Sequence, residues 1–496
     1  MQPFFDKVQT DKGAKMIKKT KILATIGPAS DSREVIEELI KAGVDLFRLN
    51  FSHGNHDYHY KILKNIREAE KKLNKHVGIL QDICGPKIRV QKLKEDFLLK
   101  KGDKILFSRD SIEGKKIDQG KYILSINQPE VLDLVKEGEY IYLYDGNIKT
   151  KVIKIGKEIE TVVENEGKLS SNKGVNFPNT ILNLEIITEK DKKDLEWGAK
   201  HGVDFVALSF VQNEKDVEKG KKLLKKYKSK AQVIAKIEKF DAVMNIDKIL
   251  KVSDAVMVAR GDLGIEVPYY KVPSIQKRII RKANAASKPV ITATQMLLSM
   301  AEKEMATRAE ISDVANAVLD GTDAVMLSEE SAIGKNPVNV VKVMSNTIIE
   351  TESVYPYNKF NRYKFLDDTD IISSATAKLA VDLDVEAIIS LTSSGKSAKK
   401  LARYRINKPI FAVTHDEDIA KSLTLVWGVE PIMSIKERSL NLMLAEMLKR
   451  AFKEKTINID KTYIVTAGFP TGVEGSTNFI RILKREQMEN YMDLAI

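Results

Sequence analysis

The stretch QVIAKIEKF, residues 232–240, decides how the rest of the chain is read. Val233, Ile234, Ala235 and Ile237 carry the branched or small side chains that strands favour, so the run reads as a buried β-strand. Side chains alternate across a strand, which puts Lys236 and Glu238 on one face. Two charges on one face of a buried sheet are costly unless a partner or a ligand compensates them.

Seven further segments resemble it: KILATIG, DLFRLN, VGILQD, DFVALSF, AVMVAR, PVITATQ and AVMLSEE. Helical spacing separates most of them, as at 31–43 and 271–287. For the first of these helices the expected start is Ser30 or Asp31 and the expected stop Gly43. Near-continuous apolar strands alternating with helices predict a parallel sheet covered on both faces. Eight such units predict an α/β fold built on a (β/α)8 barrel.

One connection breaks the rhythm. Residues 89–185 read as short alternating strands with turns (DKILFSRD, GKYILSI, GEYIYLYDG, NIKTKVIKIG, EIETVVENEG), the pattern of a small β-barrel or sandwich. Inserted after the third strand, such a domain falls at the C-terminal face of the barrel and predicts a lid. The expected organisation is an arm at 1–16, a barrel at 17–88 and 186–354, the all-β insert at 89–185, and an open α/β domain at 355–496.

The chain has 496 residues, 43% of them hydrophobic, and no apolar run long enough to cross a membrane. The start, MQPFFDKVQTDKGAKM, lacks the apolar centre of a signal peptide. One cysteine, Cys84, forms no disulfide within the chain and fits a cytoplasmic protein. The net charge of +12 is spread over helices with acids nearby, so it predicts a solvated basic surface rather than a nucleic-acid partner.

Barrels of this kind carry chemistry at the C-terminal ends of their strands. The tips here hold Pro28, Arg48, Asn50, Ser52, His53, Asp82, Lys236, Glu238, Arg260, Gly261, Asp262, Thr294, Gln295, Ser328, Glu329 and Glu330. There is no Cys/His cluster to suggest zinc, no GxGxxG and no GxxxxGK[ST]. Glu238 and Asp262 end successive strands, and two carboxylates that leave room for water and phosphate suit Mg2+ or Mn2+. Lys236 either neutralises charge on a phosphoryl or enolate oxygen, or forms a Schiff base. The second option leaves a barrel aldolase or lyase as the alternative enzyme. Ser52 and His53, adjacent on a loop, do not build a nucleophilic pair.

With TKILATIGPAS, GVDLFRLNFSHG, DICGPKIRV, KGVNFPNT, AKIEKFDAV, VMVARGDLGIEVP, ITATQMLLSM, TRAEISDVANAVLDGTDAVMLSEESA and TSSGKSAKKLARYR in order, the chain resembles the pyruvate kinase family from about residue 17 to about 483. The resemblance implies transfer of the phosphoryl of phosphoenolpyruvate to ADP, giving ATP and pyruvate at the end of glycolysis. It implies Glu238 and Asp262 as ligands of the divalent ion, and Lys236 on the transferring phosphoryl and the enolate oxygen. Arg48 would hold the phosphate, and Gly261, Asp262 and Thr294 the carboxylate end. Thr294 and, more remotely, Ser328 would position the proton donor. Asn50, Phe51, Ser52, His53, Arg89 and Lys173 resemble nucleotide contacts, and a cytoplasmic homotetramer is implied.

The chain departs from that pattern where K+-requiring members resemble DTKGPEIR. Here DICGPKIR places Lys87 in the glutamate position. The monovalent pocket would comprise Asn50, Ser52, Asp82 and Ile83, and the Lys87 ammonium is expected to substitute for K+. Leu298 and Glu329 also depart, where Glu and Gly are usual. In the last domain Thr392, Ser393, Ser394, Gly395, Lys396 and Ser397 form a strand-to-helix turn suited to an effector phosphate, from a sugar phosphate or AMP.

Overall fold

Apolar alternation with period two builds the centre of the molecule. The structure, a computed structural model, describes residues 18–493 apart from 179, 183–184, 361–362, 366, 436–438, 455 and 469–476. The arm expected at 1–16 lies outside the described residues.

Eight parallel strands close into a barrel in chain order: Lys21–Thr25, Leu46–Asn50, Gly78–Asp82, Phe205–Leu208, Gln232–Ile237, Ala255–Ala259, Val290–Ala293 and Ala324–Leu327. One parity of each strand faces inward, and Leu23, Leu46, Leu80, Phe205, Ile234, Met257, Ile291 and Met326 fill the interior. The other parity, including Ile22, Phe47, Ile79, Val206, Val233, Val256, Val290 and Val325, packs against the surrounding helices. Lys236 and Glu238 share the parity of Ile234, so the strand aims both charges at the barrel mouth.

The first helix, Arg33–Ala42, starts one to two residues later than the sequence suggested. Ser32 is its cap, accepting from the Val35 N–H, while the Ser30 hydroxyl accepts from the Gly27 N–H at 3.2 Å. Gly43 does end it, at φ +120°. The helix Glu189–His201 opens on a capping box of Thr188 and Asp191. The buried Asp191 also accepts from the Cys84 and Gly85 N–H groups, at 3.1 and 3.2 Å. One carboxylate thus ties that helix to the loop where the chain leaves the barrel.

The insert has its own core around Phe97, Phe107, Leu124, Ile141 and Phe177. Its seven-stranded sheet runs Val175–Asn176, Tyr140–Leu143, Ile148–Ile155, Ile159–Val163, Lys104–Ser108, Lys121–Ser125, Lys115–Asp118. Arg89 bridges Gly174 and Val90 bridges Ile126, so residues 89–90 connect the two sides of that sheet.

The last domain is a five-stranded sheet in the order Val429–Ser434, Ile410–Thr414, Ala387–Leu391, Tyr463–Gly468, Thr477–Leu483. The final strand is antiparallel and half-exposed, and lacks the buried apolar run that marked the others. Leu425 of this domain joins the barrel-interior cluster, and Arg405 pairs with Asp323 at 3.1 Å while stacking on Trp427. These contacts plug the barrel floor and leave the mouth to the insert.

Candidate active site

The mouth gathers charges that sequence separates by up to 190 residues. The Lys236 ammonium lies 2.7 Å from Glu238 Oε1 and 3.2 Å from Asp82 Oδ1, and donates to Ser209 Oγ at 2.8 Å. Asp82 Oδ2 in turn accepts from Arg48, at 2.6 Å from Nη2 and 2.7 Å from Nε. Arg48 also donates to Thr25 Oγ1. Glu238 Oε2 accepts from the Phe210 N–H at 2.8 Å. Asp82 Oδ1 has no hydrogen-bond partner and faces only the Lys236 ammonium, so charge pairing is what makes its burial tolerable.

Burial alone would depress the Lys236 pKa, but Asp82, Glu238 and Asp262 outweigh it and hold the ammonium well above the usual lysine range. Burial raises the Asp82 carboxyl, yet Lys236 and Arg48 carry it below the ordinary aspartate value. Asp262 goes the other way: burial, then the Glu238 charge, push it up to about 6 against the pull of Lys236 and Lys87. A lysine held as a permanent cation is suited to neutralising phosphate, not to the free amine that Schiff-base formation needs.

Beside this cluster the strand tips are strained. Thr294 and Gln295 have φ of +69° and +53°, a region a β-branched residue enters only when its surroundings force it. Arg260 supplies the force. Its guanidinium donates to Thr294 O at 2.6 Å and Gln295 O at 3.2 Å, and pairs with Asp313 at 2.7 Å. The Thr294 hydroxyl accepts from the Gly261 N–H at 2.8 Å and donates to Ala293 O. Ser328 stands apart, its N–H donating to the buried Glu330.

A cleft of about 370 Å³ opens between this mouth and the insert, lined by Lys87, Arg89, Asp145, Lys173, Lys239 and Asp262 among others. Lys173 lies 4.0 Å over the Tyr144 ring, and Arg89 donates to Asn172 O. Asn50, Phe51, Ser52 and His53 do not line this cleft. Asn50 Oδ1 accepts from the Ser52 N–H, Phe51 is buried against His59, and His53 is exposed. In the expected monovalent pocket, Ile83 O already accepts from Ser209 Oγ. Lys87, half-buried, puts its charge to work on Asp262. Leu298 is 38% exposed and Glu329 is exposed, both away from the charged cluster.

Two family models cover this architecture: the pyruvate kinase barrel domain matches residues 17–341, and the pyruvate kinase alpha/beta domain matches 370–483. The chain belongs to the pyruvate kinase family. It is 44% identical over 477 residues to the pyruvate kinase of Sporosarcina psychrophila, covering 94% of this chain and 80% of that one. The pyruvate kinase of Staphylococcus aureus strain MRSA252 is 42% identical over 474 residues with the same coverage. A crystal structure of a pyruvate kinase from Cryptosporidium parvum superposes with a TM-score of 0.87 at 35% identity, covering 94% of this chain and 96% of that one. These relatives decide for a pyruvate kinase, a transferase, over the aldolase alternative.

Sequence reasoning passed over Ser209 and Phe210, which follow the fourth barrel strand. Their signal was present, since DFVALSF ends at the same level as the other strands, but a serine and an aromatic look like ordinary tip residues. Phe210 has φ +58°, which turns its N–H toward Glu238. Asp313, on the helix Arg308–Asp320, carried no signal at all.

Proposed function

We propose that the chain transfers the phosphoryl group of phosphoenolpyruvate to ADP, giving ATP and pyruvate, the last step of glycolysis. The observation that carries this is the Lys236 ammonium, fixed at the barrel mouth by Asp82, Glu238 and Ser209 beside Arg48. Loose phosphoryl transfer needs positioned positive charge more than covalent chemistry. Arg48 and Lys236 bind the phosphate, and Lys236 then holds the enolate oxygen as the phosphorus–oxygen bond breaks. Gly261, Asp262 and Thr294 seat the carboxylate end. The Thr294 hydroxyl, with Ser328 more remote, orients the proton that reaches the enolate carbon. Arg89 and Lys173, which line the cleft, contact the nucleotide, whereas the buried Phe51 acts by holding the loop of Asn50, Ser52 and His53.

The donor set suits a divalent cation. Asp262 is raised toward protonation partly by the Glu238 charge, a repulsion that a bound cation relieves. Among the described residues no three His, Cys, Asp or Glu side chains gather as a metal cage, so two protein carboxylates leave positions for substrate and water. Glu238 and Asp262 would hold Mg2+ or Mn2+, which when bound adds positive charge against the transferring phosphoryl. K+ is not strictly required, because the Lys87 ammonium already brings a fixed charge to the cleft. Loss of turnover on exchanging K+ for tetramethylammonium would overturn this point.

The chain works as a cytoplasmic homotetramer, with no nucleic-acid or membrane partner. Tyr269, Tyr270 and Met305, exposed by 81%, 69% and 78%, fit burial between subunits, and sedimentation should return four times 55.8 kDa. No described helix is long and apolar enough to cross a membrane. A sugar phosphate or AMP binds the turn at 392–397. Thr392 Oγ1 and Ser397 Oγ are held by Gly395 N and Ser390 Oγ, and Lys396 lies 3.5 Å from Asp367, so Ser393 and Ser394 meet the phosphate first and Lys396 exchanges Asp367 for it. If so, the effector sharpens saturation by phosphoenolpyruvate, and an unchanged curve removes this part.

The deciding experiment is a coupled assay of pyruvate formation from phosphoenolpyruvate and ADP, with and without Mg2+. Turnover that needs both substrates and stops with EDTA supports the reading. Borohydride trapping of pyruvate on Lys236, with activity surviving EDTA, would overturn it.

A further inference from the structure

At the opposite end of the barrel, far from the mouth, cations gather without enough acids. The helix Glu214–Lys226 ends in a turn, and the strand Gln232–Ile237 begins just beyond it. Between them a cleft of about 380 Å³ is lined by Lys221, Lys225, Lys228, Lys230, Ser229 and Asp254. Lys221 pairs with Asp254 at 2.7 Å, and Lys230 reaches Asp416 and Asp418 of the last domain at 3.4 and 2.8 Å. Lys225 and Lys228 have no ion pair among the described residues.

Two more ammonium groups lie nearby without lining this cleft. Lys399, on the short helix that follows the turn at 392–397, donates to Gln232 Oε1 at 3.2 Å and has no ion pair among the described residues. Lys288 donates to Ser253 O at 2.7 Å. Both sense Asp254 and Lys221, and the Lys399 amine is pulled down to about 8 by burial first, then by Lys288 and Lys221, against Asp254. Six ammonium groups therefore share three carboxylates. The helix C-terminus accounts for Lys225, whose charge meets the negative end of the dipole. Lys228, just past the C-cap Tyr227, shares that end, but the helix does not account for Lys288 and Lys399, which come from other segments.

We propose that this cleft is a second anion site, for a small molecule bearing two or more phosphoryl groups, at the junction of the barrel and the last domain. A single phosphate neutralises fewer of the lysines than the cleft presents, whereas linked phosphates span Lys225 and Lys228 at the rim and Lys221 at the floor. The site is separate from the mouth and from the turn at 392–397, and it does not rest on the phosphoryl-transfer reading. The cleft is lined by barrel residues, and Lys230 on it pairs with Asp416 and Asp418 of the last domain, so a ligand there competes with that contact between the domains.

The test is calorimetric titration of the full chain with inorganic tripolyphosphate, in low salt without divalent ions. Lys225→Glu combined with Lys228→Glu should weaken binding at least tenfold, and Lys399→Gln should weaken it in the same direction while Lys399→Arg preserves it. In a background carrying both Lys236→Met and Ser394→Glu, which weakens phosphate binding at the mouth and the effector turn, tripolyphosphate should still bind, and the Lys225→Glu, Lys228→Glu pair should still weaken it at least tenfold. Inorganic phosphate should bind at least tenfold more weakly than tripolyphosphate. Unchanged near-ultraviolet circular dichroism and turnover in the double variant verify its fold. The proposal is overturned by absence of binding to the parent chain, by equal affinity in the Lys225→Glu, Lys228→Glu variant, by loss of all binding in the Lys236→Met, Ser394→Glu background, or by equal affinity for the single phosphate.

Discussion

Lys236 and Glu238, two residues apart on one strand, close an ion pair of 2.7 Å at the barrel mouth. They face each other directly, with Asp82 and Ser209 completing the ammonium's shell. The lysine is poised by the same carboxylates that keep it charged.

Replacing Lys236 by Met removes that cation and leaves Asp82 and Glu238 buried with less compensation. Turnover in the coupled assay should fall by at least about a thousandfold, as expected when a preorganised charge is lost. Urea unfolding should show a loss of about 3 kcal/mol, the cost of breaking a buried pair. Turnover close to that of the parent chain would remove Lys236 from the mechanism.

Ser209 bridges the Lys236 ammonium and Ile83 O, so under the proposed reaction it is a positioning residue for that lysine. Ser209→Ala should cost about 1–2 kcal/mol of stability by leaving buried groups short of a partner. It should also lower kcat more than it raises KM for phosphoenolpyruvate. A purely structural role would lower stability and leave kcat where it was.

Arg260 holds Thr294 and Gln295 in their strained conformation through two carbonyls and Asp313. Lysine cannot reproduce the planar fork, so Arg260→Lys should lower kcat by about a hundredfold, the scale of a misplaced positioning group. Asp313→Asn should give a smaller loss in the same direction. Steady-state kinetics of the two variants compare them directly.

Lys399 supplies a pH dependence with a definite sign. Its pKa is lowered to about 8 from an ordinary 10.5, so its charge is held at a cost to the fold below pH 8. Unfolding restores the ordinary value, so the cost fades as pH rises from 8 toward 10. Lys399→Met should be more stable than the parent at pH 7, with the difference in Tm shrinking by pH 10. A Tm difference that does not change with pH would show that the amine has no such neighbours.

Much of this was legible along the chain. Eight buried runs separated by helical spacing predict the barrel, because backbone alternation makes each strand apolar whichever partner it meets. The insert stood out because its period-two pattern breaks the helical one. The half-exposed strand Thr477–Leu483 escaped, since an edge strand needs no continuous apolar face. Ser32 displaced Ser30 as a cap because a cap is chosen by local backbone angles, which residue type alone does not fix.

The sequence by itself determined the barrel, the order of its domains and which charged residues end its strands, since periodicity and residue type are local properties. Tertiary structure alone decided that Asp82 joins Arg48 to Lys236, that Arg260 forces the turn at Thr294, and that lysines from both domains crowd Asp254. Those contacts join residues far apart in the chain, and electrostatic energy depends on distance and burial, which a linear order of residues does not contain.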